Sequence, residues 1–277
     1  MSFFHAGRNG FGMVDGETVL AIADSRWPSL RAAMAEATLE QIAEAARSAG
    51  RAIPLGEVAY LPPITDPEKI ICVGLNYATH AGEAKMEVPD SPSLFVRFPS
   101  SQVGHEQDVV KPKISDEFDF EGELAVVIGK SARHLSEDQA LGCVAGYTIF
   151  GEHSVRDWQF HSRQATPGKN FWRSGAIGPW MVGADEIPDP SKLHLVTRLN
   201  GETMQDDTTD HLIFSIPQLI AYISDFTELL PGDIISTGTP AGVGFARDPK
   251  VYLKPGDEVE VEIEGIGLLR NRVAAEE

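Results

Sequence analysis

Three acidic side chains recur at every second position in Asp119-Phe120-Glu121-Gly122-Glu123, directly ahead of the apolar run Leu124-Ala125-Val126-Val127-Ile128. Side chains alternate faces along a strand, so in an extended segment all three carboxylates would point the same way. Carboxylates gathered on one face at the entry to a core repel each other unless something neutralises them, and a hard divalent cation does that best. The solvated outer face of an edge strand would show the same alternation.

Four further stretches carry groups able to do chemistry. In Gly151-Glu152-His153-Ser154-Val155-Arg156-Asp157-Trp158-Gln159, a short helix would put Glu152, Arg156 and Gln159 on one face. That face offers a carboxylate for a cation, a guanidinium for that carboxylate or a substrate acid, and an amide for a neutral oxygen. A surface Glu–Arg helix pair would read the same. In Asn76-Tyr77-Ala78-Thr79-His80-Ala81-Gly82-Glu83, one helical turn makes His80 and Glu83 neighbours. A carboxylate there could orient the imidazole and raise its basicity, enough to deprotonate a water, and an ordinary solvated turn would carry the same pair. The polar stretch that follows, Lys85 to Pro92, lacks apolar periodicity and reads as a lid. Lys169 sits in the tight loop Thr166-Pro167-Gly168-Lys169-Asn170, either solvated or holding an anion. Ser236-Thr237-Gly238-Thr239-Pro240-Ala241-Gly242-Val243-Gly244 follows a strand, and its backbone N–H groups could face a carboxylate. No phosphate loop, dinucleotide fingerprint or serine-nucleophile elbow is present.

The elements that must position these groups divide the chain. Residues 1 to 64 read as a small α/β unit. It has short strands around Met13 and Val19 and one helix, capped by Ser29, carrying Leu30, Ala33, Met34, Ala37 and Ile42 and closed by Gly50. Pro62-Pro63 and Pro67 form the linker. From residue 65 to 277 many short β-branched runs alternate with Gly/Pro turns such as Pro231-Gly232-Asp233, which predicts a mixed or antiparallel sheet system closed on itself, with helices outside. One such helix is predicted after Ser215, with Ile216, Leu219, Ile220, Ile223 and Phe226 as its apolar stripe.

With 277 residues the chain can bury a sizeable core. Forty-one acidic against 23 basic residues, a formal net charge of −18, argue against nucleic-acid or anionic-membrane partners. No run reaches the length of a membrane span and the first residues lack a signal-peptide core, so the expected compartment is the cytoplasm. Cys72 and Cys143, set among apolar neighbours, read as buried free thiols, and no Cys/His zinc spacing occurs. Any metal must then be held by oxygen, as Mg²⁺, Mn²⁺ or Ca²⁺ would be.

Taken together, these segments resemble the fumarylacetoacetate hydrolase family of metal-dependent enzymes acting on 1,3-dicarbonyl and 2-oxo acids. The marks run in order from Ile70 to Val273: Val73-Gly74-Leu75-Asn76-Tyr77 with His80 and Glu83, then Asp119 to Leu124, Arg156-Asp157-Trp158-Gln159, Gly168-Lys169, and Thr237 to Gly244. The resemblance implies an α+β, mainly β fold, a mixed β-sandwich roll with a small N-terminal α/β domain, assembled as a homodimer or higher homo-oligomer. It makes Glu121, Glu123 and position 152 the metal ligands for Mg²⁺ or Mn²⁺. The family usually has aspartate after asparagine at the third position, whereas this chain reads Gly151-Glu152-His153. Catalytic roles fall to His80, Glu83 and Lys169, and substrate contacts to Arg97, Arg156, Gln159 and Thr239. The implied activity is hydrolysis of a C–C bond in an acylpyruvate or 2,4-dioxo acid, with His80 taking a proton from water. Decarboxylation or isomerisation of a 2-oxo acid such as oxaloacetate, turnover of a dienoate or deoxy sugar acid, and a non-catalytic binding protein stand as alternatives.

Overall fold

Alternation of apolar residues on both faces of one strand organises the molecule. The computed structural model describes residues 1–22, 26–83 and 87–277. Within the strand Gly122–Ile128, Leu124, Val126 and Ile128 enter one apolar core, and Ala125 and Val127 enter another. A strand buried on both faces must lie between layers.

That strand is central in a mixed seven-stranded sheet. The order is Ser93–Val96, Ile70–Gly74, Ile234–Ser236, Gly122–Ile128, Val144–Gly151, Gly175–Gly183 and Gln102–Val103. On one side lies a five-stranded sheet, Glu202–Thr208, His194–Leu199, Glu258–Ile263, Gly267–Ala275 and Val109–Lys111. Leu195, Val259, Val261, Ile263 and Leu269 of this second sheet share a core with Leu124 and Val126, closing the expected mainly β sandwich. Most neighbours are antiparallel, but Ile234–Ser236 runs parallel to Ile70–Gly74, which sets the His80 segment beside the glycine-rich loop because both strands end at the same edge.

On the other side pack the N-terminal residues, whose own five-stranded sheet is completed by Ala59–Leu61 just before Pro62-Pro63. Trp27, Leu30, Met34 and Ile42 bury against Ile70, Cys72, Ala125 and Val127, so this unit shares a core with the main sheet. The single helix predicted here is two, Leu30–Glu36 and Leu39–Ala49. Ser29 caps the first as expected. The break arises because Ala37 is extended and Thr38 starts a second capping box with Gln41.

The helix Ile216–Phe226 begins at Ser215 with a capping box to Gln218, and Ile216, Leu219, Ile220 and Ile223 are buried. Phe226, assigned to the same stripe, is instead 58% exposed at the last turn, and the helix ends at Thr227, ahead of Pro231-Gly232. Both cysteines are free and buried. No helix of the described residues is long and apolar enough to cross a membrane. Leu219 is wholly buried, so Leu219→Ala should cost about 2–5 kcal/mol and Ser215→Ala about 1 kcal/mol, read as lowered urea midpoints with unchanged slopes.

Candidate active site

Strand pairing brings the first carboxylates together. Gly122 pairs with Gly151 across antiparallel strands, and the Glu152 N–H continues the ladder to the Glu121 carbonyl at 2.8 Å. Glu121, Glu123 and Glu152 thereby offer oxygens that all lie within 4.8 Å of one another, and all three residues are buried. The expected helical face of Glu152, Arg156 and Gln159 does not form. Glu152 belongs to the strand end and the helix covers only Arg156–Gln159, because residue 152 is still held in the sheet ladder. Arg156 therefore serves other acids: it meets Glu121 at 2.8 Å and Asp119 at 2.8 Å. Asp119 also departs from the even alternation. The chain leaves the strand Phe118–Asp119 before Gly122, so the Asp119 carboxylate turns away and accepts from the N–H groups of Gly244 at 2.8 Å and Phe245 at 3.0 Å.

Each carboxylate of the trio has its own partners. Glu123 accepts from the Ser236 hydroxyl at 2.6 Å and the Gly238 N–H at 2.8 Å. Glu121 accepts from the Ser154 hydroxyl at 2.5 Å and from Lys169 Nζ at 3.0 Å. Lys169 also bonds Glu152 Oε2, while Arg97 Nη1 donates to Glu152 Oε1 at 2.7 Å. Arg97, expected to meet substrate, is 2% exposed, and the rest of its guanidinium goes to Ser101, Ser174 and the His153 carbonyl. It stands behind Glu152 and positions it. His153 is buried with its ring edge-on to Phe118, and burial pushes its imidazole down to about 3, so it is a neutral wall of the site.

Fully ionised, the charges do not balance without a cation or a proton. Asp119, Glu121, Glu123 and Glu152 face Arg97, Arg156 and Lys169, all buried, which leaves one negative charge over. Burial would raise Glu121, but Arg156 and Lys169 outweigh it and hold the carboxyl well below the usual range. The excess falls on Glu123, which burial and then the neighbouring Glu152 and Glu121 push up to about 8. Glu152 is raised too, by burial, against the pull of Lys169. Burial works against the Lys169 ammonium, yet Glu121 and Glu152 keep its pKa above the ordinary value. An all-oxygen trio with residual negative charge fits a hard divalent cation. Such an ion would turn the local excess to one positive charge, which suits an anionic substrate.

His80 and Glu83 lie on the short helix Ala78–Glu83, with His80 Nδ1 3.4 Å from Glu83 Oε2. His80 is close enough for its charge to act on Glu121. The Gly242 N–H donates to both Glu83 oxygens at 3.1 Å. The glycine-rich loop thus does turn its N–H groups toward carboxylates, and these are the protein's own: Glu123, Glu83 and Asp119. Gly238 and Gly242 have φ of +104° and +103°, which permits this tight path. Thr239, whose backbone is the group expected at substrate, donates its side-chain hydroxyl to the Gly122 carbonyl at 3.0 Å and accepts from Gln205 at 2.7 Å, which fixes the loop on the strand end. Gln159 gives its carboxamide oxygen to Arg156 at 2.9 Å, which leaves its NH₂ as a donor. Of the expected lid, residues 84–86, with Lys85, lie outside the described residues.

Sequence reasoning missed Ser154 and Ser236, which bond the metal-side carboxylates. It also missed Arg247, which holds the carbonyls of Gly242 at 3.0 Å and Met204 at 2.6 Å and so fixes the turn under Glu83. The serines lie within segments already singled out, so their place beside the acids was the available signal. Arg247 had none, because its partners are backbone carbonyls, one in its own loop and one on a strand remote in sequence.

A double-layered β fold around a buried carboxylate trio with an adjacent His–Glu pair defines a class of metal-dependent enzyme. The chain belongs to the fumarylacetoacetate (FAA) hydrolase C-terminal family, whose pattern matches residues 69–274. The chain is 43% identical over 240 residues to the oxaloacetate tautomerase FAHD2A, mitochondrial, of Bos taurus, covering 86% of this chain and 76% of the relative. Among solved structures, 2-hydroxyhepta-2,4-diene-1,7-dioate isomerase from Mycobacterium marinum superposes with a TM-score of 0.81 at 32% identity, covering 99% and 97% of the two chains. Maleylpyruvate hydrolase from Sphingobium sp. SYK-6, in complex with manganese(II) and pyruvate, superposes with a TM-score of 0.81 at 29% identity over 100% of both chains.

The raised Glu123 gives a signed prediction. A carboxyl that titrates near 8 when folded favours folding in its protonated form, so that contribution is lost as pH rises from the ordinary carboxylate range through about 8. In chelator, the thermal midpoint should therefore fall across this window, and Glu123→Gln should flatten the fall. Divalent-metal affinity should rise with pH by up to roughly tenfold per unit, because binding displaces one proton. Calorimetric titration at several pH values reads it.

Proposed function

We propose that this chain is a divalent-metal-dependent hydrolase that splits the C–C bond of an acylpyruvate, releasing pyruvate and a second carboxylic acid. The observation that carries this reading is the His80–Glu83 pair, clamped by Gly242 beside the carboxylate trio. Mg²⁺ or Mn²⁺ held by Glu121, Glu123 and Glu152 would supply Lewis acidity to the 2-oxo acid head.

Glu83 engages His80 at Nδ1, leaving Nε2 to take a proton from water. The hydroxide adds to the distal carbonyl. The bond between the distal carbonyl carbon and the methylene then breaks, its electron pair passes to the methylene of the pyruvate fragment, and the methylene takes the proton back to become a methyl group. Lys169, kept cationic by Glu121 and Glu152, holds negative charge at the head, and the free NH₂ of Gln159 donates to a substrate oxygen. Arg97 and Arg156 keep the acids in place. In the same reading residues 1–64 form the small domain and 65–277 the catalytic one. The protein works in the cytoplasm as a homodimer or higher homo-oligomer on a small dicarbonyl acid, without nucleic-acid or membrane partners, which the net charge of −18 supports.

A second reading, tautomerisation of oxaloacetate, is favoured by the 43% identity to an oxaloacetate tautomerase over 86% of this chain. There His80 would carry a proton between carbon and the enol oxygen, with no bond between carbons broken.

Product analysis on metal-stripped protein, with and without Mg²⁺ or Mn²⁺, separates the two. Pyruvate plus a second acid from acylpyruvates, only with metal, is the expected result. Conversion of enol to keto oxaloacetate with no acylpyruvate turnover would replace the hydrolase by the tautomerase. Glu123→Ala should abolish turnover and metal binding, and His80→Ala should lower hydrolysis about a hundredfold or more while metal still binds.

A further inference from the structure

Phe245 touches both halves of the candidate site. Its backbone N–H is fixed on Asp119 at 3.0 Å. The guanidinium carbon of Arg156 lies 4.4 Å from the ring centroid, and the same guanidinium reaches Glu121 at 2.8 Å. The His80 ring stands edge-on to Phe245 with centroids 6.5 Å apart. Beyond it, Phe160 meets Phe245 at 6.3 Å and is itself 66% exposed. An aromatic path therefore leads from the base to the surface.

We infer that the site selects a 2-oxo acid whose distal end is an alkyl or aryl group, laid along Phe245 and Phe160. The inference rests on the reading above, which places the acid head at the carboxylate trio and the distal carbonyl at His80. Whatever the carbonyl carries then has Phe245 beside it and Phe160 ahead.

Two physical points favour an apolar tail over a second carboxylate. Phe160 sits one residue past the turn Arg156–Gln159, where a polar side chain would be hydrated freely, while an exposed phenyl gains from being covered by apolar surface. The buried and half-buried cations of these elements are already committed, Arg156 to Asp119 and Glu121, Lys169 to Glu121 and Glu152, and Arg247 to two backbone carbonyls, while Arg163, three residues past Phe160, is exposed. A second carboxylate beside Phe245 would lose hydration without gaining a partner.

Binding tests this without requiring turnover. Calorimetry on Mn²⁺-loaded full-length protein would compare pyruvate, 2-oxohexanoate, 2-oxooctanoate, phenylpyruvate and oxaloacetate, none of which carries the scissile bond of an acylpyruvate. Affinity should rise about two- to fourfold per methylene, and phenylpyruvate should exceed oxaloacetate by roughly tenfold or more. Phe160→Ala should reduce the phenylpyruvate-to-oxaloacetate ratio several-fold, and Phe160→Leu should restore part of it. Affinity independent of the tail, or a ratio unchanged in Phe160→Ala, overturns the inference. An unchanged ratio together with a shifted sedimentation coefficient assigns Phe160 to a contact between copies of the chain instead. Graded binding with no acylpyruvate cleavage upholds the apolar path and refutes the hydrolase. Failure of every 2-oxo acid to bind overturns both.

Discussion

Seven charged side chains withdrawn from water in one place are the constraint on which the rest of this structure depends. Asp119, Glu121, Glu123 and Glu152 are tolerable in the interior only because Arg97, Arg156 and Lys169 are buried with them. Each pairing is short and specific. Glu152 is met at both oxygens, by Arg97 on one and Lys169 on the other, so its longer side chain is held as firmly as a shorter acid would be. With every acid ionised the arrangement stops one charge short of neutrality, a deficit that a proton on Glu123 or a bound cation makes up.

The neutralising groups come from far apart in the chain, so the fold has to deliver them together. Backbone N–H groups of the loop after Ile234–Ser236 reach Glu123, Glu83 and Asp119 within a few residues of each other. Asn76, wholly buried, ties the start of the His80 helix to the same loop by donating to the Thr237 carbonyl at 2.7 Å. One loop therefore positions the metal-side acid, the partner of the base and the anchor of Arg156. Arg247 braces its tightest turn from behind. Such a shared support ties the metal side to the His80 side through one loop.

Relatives with this framework carry names of a tautomerase, an isomerase and a hydrolase. One framework therefore carries several named activities, and the fold alone does not choose among them. In this chain the region beyond the base is aromatic, with Phe245 packed against His80 and Phe160 open to solvent.

Much of the framework could be read in the residues alone. Local order is written locally: the Ser215 capping box, the β-branched runs and the alternation through Glu121 and Glu123 depend on neighbours a few residues away. The alternation through Glu121 and Glu123 and the His80–Glu83 spacing are such short patterns, whereas Glu152 as the third acid follows from the family resemblance. The directions of the long side chains are not written locally. Arg97 reaches Glu152, Thr239 reaches Gly122 and Asp119 reaches the Gly244–Phe245 turn, partners that are remote in sequence. The split at Thr38 and the exposure of Phe226 likewise follow from packing that no periodicity encodes. The amino-acid sequence by itself determined which groups this protein has available and the pitch at which each is presented. Only the tertiary structure decided which charge meets which, since an ion pair forms by distance in space and a chain of this topology brings residue 97 to 152 and residue 83 to 242.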